Sequence, residues 1–223
     1  MRRPEAVIFD MDGVLIDSEP IHYEIEKQLF NTLGISVPEE VHRLYLGAAG
    51  DFMYLDLKSR FDLSQSVNEL LAFDDQFRCQ YFKSLALLNL NDGVILLLNR
   101  LKSAGMKLAV ATSSSPELVK ILLDRSDLSP YFDAIVTTTE AGKSKPAPEV
   151  YLLAALKIGV SSDKCMVFED SPNGISAAKS AGMYCIAVET ESVGLDELAQ
   201  ADFTIQSFNG ITPDRLSEIF AVN

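Results

Sequence analysis

Short, unbroken apolar runs recur along the chain at 6–9, 108–111, 134–136, 165–168, 184–188 and 203–205, each closed by charged or turn-forming residues. A strand covered by helices on both faces has no polar side to show, so continuous rather than alternating hydrophobicity predicts the buried strands of a parallel sheet. Between the runs the apolar spacing becomes helical. Val94, Ile95, Leu97, Leu98 and Leu101 precede Gly105; Leu118, Val119, Leu122 and Leu123 follow Pro116; Val150, Leu153, Ala154 and Ile158 precede Gly159. Proline near a helix start and glycine just past its end is the asymmetry that helix termini favour. Repeated alternation of strand and helix predicts an α/β fold, a Rossmann-like doubly wound parallel sheet.

Between 17 and 91 the strand signal disappears, while Ile21, Ile25, Leu29 and Leu33, then Val67, Leu70, Leu71, Phe77 and Tyr81, keep helical spacing. The expectation is a catalytic core of residues 1–16 and 92–223 interrupted by an α-helical insert of residues 17–91, whose apolar positions pack its own interior.

Composition narrows the function classes. With 223 residues, 48% of them hydrophobic, the chain can bury a good-sized core. Its formal charge of −13 repels phosphate backbones and anionic lipid, so neither nucleic acid nor a membrane surface is an expected partner. No apolar run approaches the length of a membrane span, and the Arg2-Arg3 start leads into too short an apolar stretch for a secretory signal. A cytoplasmic monomer is expected. Cys79, Cys165 and Cys185 are odd in number, and two sit in apolar runs, which fits reduced buried thiols and no metal cage.

The chemistry begins where the first strand ends, in Phe9-Asp10-Met11-Asp12-Gly13. On extended chain, residues i and i+2 face the same side, so the two carboxylates converge while Gly13 lets the backbone turn. Alone, such a motif reads sooner as a strand-ending turn or a calcium loop than as a catalytic site. A calcium loop is excluded because Val14 and Leu15 stand where an oxygen ligand and a glycine are needed. Three later runs also end in polar groups: Thr112-Ser113-Ser114-Ser115, a loop carrying Lys145, and Glu169-Asp170-Ser171. Singly these are an N-cap, a surface lysine and an acidic helix start. In an open parallel sheet, however, the strand ends share one edge, where ligands bind. Asp10, Asp12, Glu169 and Asp170 brought together would repel by ~4 kcal/mol per close pair, so they call for a divalent cation. Oxygen ligands favour magnesium, which would hold a phosphoryl group beside Lys145.

Phe9-Asp10-Met11-Asp12-Gly13, the strand-ending Thr112, Lys145-Pro146-Ala147-Pro148 and Phe168-Glu169-Asp170-Ser171-Pro172-Asn173-Gly174 resemble, in order and spacing, the four motifs of the haloacid dehalogenase-like hydrolase superfamily in its β-phosphoglucomutase-like branch. Asp17-Ser18-Glu19-Pro20 followed by His22 is similar to the entry into that branch's helical cap. The resemblance implies Asp10 as nucleophile and Asp12 as acid and base. It implies magnesium held by Asp10, the Asp12 carbonyl, Asp170 and Glu169, with Thr112 and Lys145 on the phosphoryl oxygens. His22, Gly47 and Ser113 would join Thr112 and Lys145 in binding substrate. A carboxylate at Asp12 implies phosphoryl transfer rather than dehalogenation. The mutases of the branch grip a second phosphate with a cap arginine; here Gly47-Ala48-Ala49-Gly50-Asp51 sets Gly50 at that place, although Arg43, Lys58 or Arg60 could substitute. The expected function is therefore a magnesium-dependent phosphatase of a small phosphorylated metabolite, a sugar phosphate. The alternatives are a β-phosphoglucomutase-type isomerase or a non-catalytic phosphate- or metal-binding regulator.

Overall fold

A computed structural model describes residues 3–45, 50–190, 193–194 and 196–221. The chain divides into two compact units, one formed by Met1–Ser18 with Leu88–Asn223 and the other by Glu19–Leu87. Among the described residues the first unit carries strands β1 (Ala6–Phe9), β2 (Lys107–Thr112), β3 (Ala134–Thr137), β4 (Cys165–Glu169), β5 (Tyr184–Val188) and β6 (Phe203–Ile205). Helices α1 (Glu19–Thr32), α2 (Glu39–His42), α3 (Gly50–Phe61) and α4 (Val67–Ser84) belong to the second unit. Helices α5 (Val94–Ser103), α6 (Pro116–Arg125), α7 (Thr138–Ala141), α8 (Glu149–Ile158), α9 (Pro172–Ser180) and α10 (Pro213–Phe220) belong to the first.

Every apolar run became a strand, and all neighbouring pairs are parallel in the order β3-β2-β1-β4-β5-β6. β2 begins one residue early, at the exposed Lys107, because backbone pairing with β1 continues past the apolar stretch. β1 lies between β2 and β4, so successive connections leave it in opposite directions, and its carboxyl end is the switch point at which such sheets open a crevice. One face of the sheet stacks Phe9 on Phe168 at 5.3 Å between centroids, with Phe208 edge-on to Phe168. Within the alanine-rich core cluster, Ala6, Ala109, Ala111, Ala154, Ala155, Ala177 and Ala178 let α8 and α9 approach the strands closely. Ile16, just beyond the turn after β1, forms single-residue bridges to Asp12 and to Leu90, a position inside the stretch read as helical; one bridge leaves no periodic trace in sequence.

The second unit packs Leu29, Phe30, Tyr45, Met53, Tyr54, Leu57, Leu63 and Leu70 into its own core. α4 opens with a reciprocal capping box between Ser66 and Glu69, which satisfies two backbone N–H groups otherwise left without partners. Arg78 is held from two sides, its Nε donating to Asp74 at 2.7 Å and its Nη2 to Glu26 at 3.0 Å, while His42 lies 2.7 Å from the other oxygen of Glu26. No helix among the described residues is long and apolar enough to cross a membrane. The three cysteines are buried, and none of them is in a disulfide.

Candidate active site

Three strands deliver the polar groups to one edge. The β1 ladder extends to Asp10, whose N–H donates to the carbonyl of Phe168, and register pairs Phe9 with both Val110 and Phe168. Asp10 therefore emerges between the ends of β2 and β4. Asp10, Glu169 and Asp170 are buried, and one oxygen from each lies within 4.8 Å of the others.

Lys145 enters this group from the β3–α8 connection, its side chain 6% exposed. Its three ammonium protons find three acceptors: Oδ1 of Asp10 at 2.8 Å, Oε1 of Glu169 at 2.5 Å and the carbonyl of Ala111 at 3.2 Å. Burial pushes Asp10 upward from the ordinary carboxylate range, and the neighbouring charges of Glu169 and Asp12 add to this against the pull of Lys145. Glu169 goes the other way. Burial also raises it, but the Lys145 charge and its hydrogen bonds outweigh that and hold it low.

Glu169 is enclosed by five donors. Lys145 and the hydroxyl of Tyr151, 2.6 Å away, share Oε1, while Oε2 accepts from the N–H groups of Asp170 and Ser171 and from the Ser171 hydroxyl. That last set is the amino end of α9, where backbone dipoles favour an anion. Gly174 makes the approach possible, since a Cβ there would stand 1.7 Å from Oε1 of Glu169. The cluster passes an elementary test for a cation site. Three buried carboxylates meet one ammonium, so two negative charges remain uncompensated among these four groups, and the donor set is all oxygen, as a hard divalent ion requires.

Asp12 faces a different neighbourhood. Ser18 donates to its Oδ1 at 3.0 Å and Ser114 to its Oδ2 at 2.7 Å, so the carboxylate is clamped between two hydroxyls. The turn that aims it is tied by Asn91, whose side-chain amide donates to the carbonyls of Gly13 and Val14. Thr112 is buried at the end of β2, its Oγ1 accepting from the N–H of Ser114. Ser113 is exposed, and it is Ser114 that turns inward to Asp12.

His22 belongs to α1 of the second unit, where Nη1 of Arg78 lies 2.7 Å from its Nδ1 and the Phe82 ring stands edge-on to it. Gly47 lies outside the described residues. The cations weighed as substitutes for a second phosphate site are engaged locally: Arg43 with Glu39, Arg60 with Asp56, and Lys58 with the carbonyls of Leu63 and Gln65. Sequence reasoning missed Ser18, Asn91, Ser114 and Tyr151. Ser18 stands in the stretch read as the entry into the cap, Ser114 is one of three consecutive serines, and Tyr151 occupies a helix-core position.

The model of the haloacid dehalogenase-like hydrolases matches residues 4–182. A phosphorylated carbohydrates phosphatase of Thermotoga maritima is 37% identical over 179 residues, 80% of this chain and 82% of that protein. The fructose-1-phosphate phosphatase YqaB of Escherichia coli is 31% identical over 192 residues, 83% and 97% of the two chains. Among solved structures, CbbY from Rhodobacter sphaeroides in complex with phosphate superposes with a TM-score of 0.80 at 27% identity, over 93% of this chain and 96% of that one. A family model spanning most of the chain, a matching sheet and a buried acidic cluster at its switch point agree: the chain belongs to the haloacid dehalogenase-like hydrolases.

Proposed function

We propose that the chain is a magnesium-dependent phosphatase that hydrolyses a small phosphorylated metabolite, a sugar phosphate, through an aspartyl-phosphate on Asp10. The observation that carries this reading is the buried trio of carboxylates around Lys145 with the clamped Asp12 two residues from Asp10. The names of the Thermotoga and Escherichia relatives support the substrate class. Asp10, Asp170 and the main-chain carbonyl of Asp12 would hold the ion, with Glu169 beside them. When bound, the ion offsets the two surplus charges and draws electron density from the phosphoryl oxygens.

A carboxylate oxygen of Asp10 attacks phosphorus as the bond to the leaving oxygen breaks, and Asp12 in its acid form passes a proton to the departing alkoxide. Asp12, now a carboxylate, takes a proton from water. That water attacks phosphorus, the Asp10–phosphorus bond breaks, and inorganic phosphate leaves. Throughout, the Lys145 ammonium and the Thr112 hydroxyl donate to the phosphoryl oxygens, where negative charge is spread in the transition state. The local engagement of Arg43, Lys58 and Arg60 supports a monophosphate substrate over the bisphosphate that an isomerase must retain.

A panel of phosphorylated metabolites with magnesium, scored by released phosphate, tests the proposal. Release from at least one sugar phosphate, lost in a folded Asp10→Asn variant, is expected. No release from any ester, or undiminished release by that variant, overturns it. Conversion of β-glucose 1-phosphate to glucose 6-phosphate with negligible phosphate release would identify an isomerase instead.

A further inference from the structure

Tyr151 lies fully buried in the alanine-rich core against β2 and β3, a position where phenylalanine would fill the same space. Its hydroxyl is not needed to pack that core, yet it is aimed at Oε1 of Glu169, 2.6 Å away, the oxygen that also accepts from Lys145. The Tyr151 ring lies beside the same ammonium, 5.1 Å from centroid to Nζ. Two independent contacts of one side chain thus converge on the Glu169–Lys145 pair.

Lys145 already uses all three of its protons, on Asp10, Glu169 and the Ala111 carbonyl. To donate to a phosphoryl oxygen it must release one acceptor, and an abandoned buried carboxylate oxygen would carry the desolvation penalty of an unpaired charge. Glu169 Oε1 keeps another donor, the Tyr151 hydroxyl, when the ammonium leaves.

We infer that Tyr151 is a positioning residue: its hydroxyl keeps Glu169 Oε1 hydrogen-bonded so that the Lys145 ammonium can transfer one of its contacts from Glu169 to a phosphoryl oxygen. The role rests on the reading of Lys145 as the phosphoryl-binding cation. Without the hydroxyl, Lys145 remains tied to Glu169, and the transition state loses a charge-assisted hydrogen bond while the outline of the core is unchanged.

The test compares wild type, Tyr151→Phe, Lys145→Ala and the double variant on the sugar phosphate that wild type hydrolyses fastest, with melting temperature recorded for each. Tyr151→Phe is expected to melt within about 5 °C of wild type. It should lose about 10- to 100-fold in kcat, with KM changed by less than about 3-fold. In the Lys145→Ala background the same change should cost at most about 3-fold, because the cation it positions is gone. Wild-type kcat in Tyr151→Phe, equal fold losses in both backgrounds, or a loss matched by the unfolded fraction overturns the role while leaving the phosphatase reading intact. A wild type that hydrolyses no phosphomonoester overturns that reading, and this role with it.

Discussion

A Cβ atom on Gly13 would stand 1.9 Å from Oδ2 of Asp170, so the turn after β1 and the end of β4 occupy one space that only glycine leaves open. Gly13 also has φ +70°, where an L side chain is strained.

These two effects separate experimentally against Gly105, which has φ +73° and nothing within 4 Å of an added Cβ. Gly105→Ala should cost the backbone strain alone, about 1–2 kcal/mol in urea unfolding. Gly13→Ala should cost more and should also weaken magnesium binding by at least about 10-fold, since Asp170 must move. Calorimetric titration of both variants with magnesium reads the difference; equal effects would show that Asp170 has room to spare.

Asp12 is proposed to act on protons through its carboxylate and on the metal through its main chain. Asp12→Ala should therefore cut kcat by about 10³-fold or more and change magnesium affinity by less than about 3-fold. Ser114→Ala removes the 2.7 Å hydroxyl from Oδ2 and should lower kcat by about 10-fold, whereas Ser113→Ala, at the exposed neighbour, should lower it less. Parallel kinetics and titration decide this, and matched losses of turnover and affinity in Asp12→Ala would contradict the division of labour.

With three buried carboxylates against the Lys145 ammonium, a divalent ion bound among Asp10, Glu169 and Asp170 would contribute to stability as well as to the proposed catalysis. Magnesium at 100 times its dissociation constant should stabilise the fold by about 2.7 kcal/mol. The melting temperature should therefore climb with magnesium concentration, and a chelator should lower it and stop phosphate release together. Differential scanning fluorimetry in chelator and in graded magnesium measures the first effect without any substrate.

In the helical unit, Glu26 supplies a pH dependence of known sign. Burial raises its carboxyl pKa, but the His42 hydrogen bond and the Arg78 charge outweigh that, so the folded value lies below the unfolded one. The unfolded state then binds more protons in acid, and the stability contributed by Glu26 is present above an unfolded pKa of about 4.3 and lost as pH falls through the folded value. Glu26→Gln should cost about 3 kcal/mol at pH 7, because Arg78 and His42 each lose a charged partner within a nearly buried group. The gap between variant and wild type should narrow below pH 4. Urea midpoints at the two pH values test this, and a gap constant with pH would remove Glu26 as its source.

The six strands among the described residues could be placed from the sequence because a strand covered on both faces must be apolar throughout, and that condition is written in consecutive residues. The acidic residues of the candidate site were legible for a related reason: each ends a strand or follows within a few residues of one, so order along the chain already implies a shared edge, while Lys145 lies beyond α7 in the connection from β3 to α8. Which neighbour of a pair turns inward was not legible. Ser113 and Ser114 differ only by a step through the turn that leads into the Ser115 N-cap of α6, and a run of like residues does not say which of them faces Asp12.

Composition and local pattern by themselves determined the alternation of strand and helix, the helical stretch between the first two strands, and the supply of carboxylates at strand ends. Only the tertiary structure decided that Lys145 lies on Asp10, 135 residues away, that Asp12 is held by Ser18 and Ser114, and that the Tyr151 hydroxyl reaches Glu169. The difference is physical. Periodicity and turn chemistry report energies between residues a few positions apart, whereas strand order and helix packing bring distant side chains together, and a buried hydrogen bond leaves no periodic mark on either of its partners.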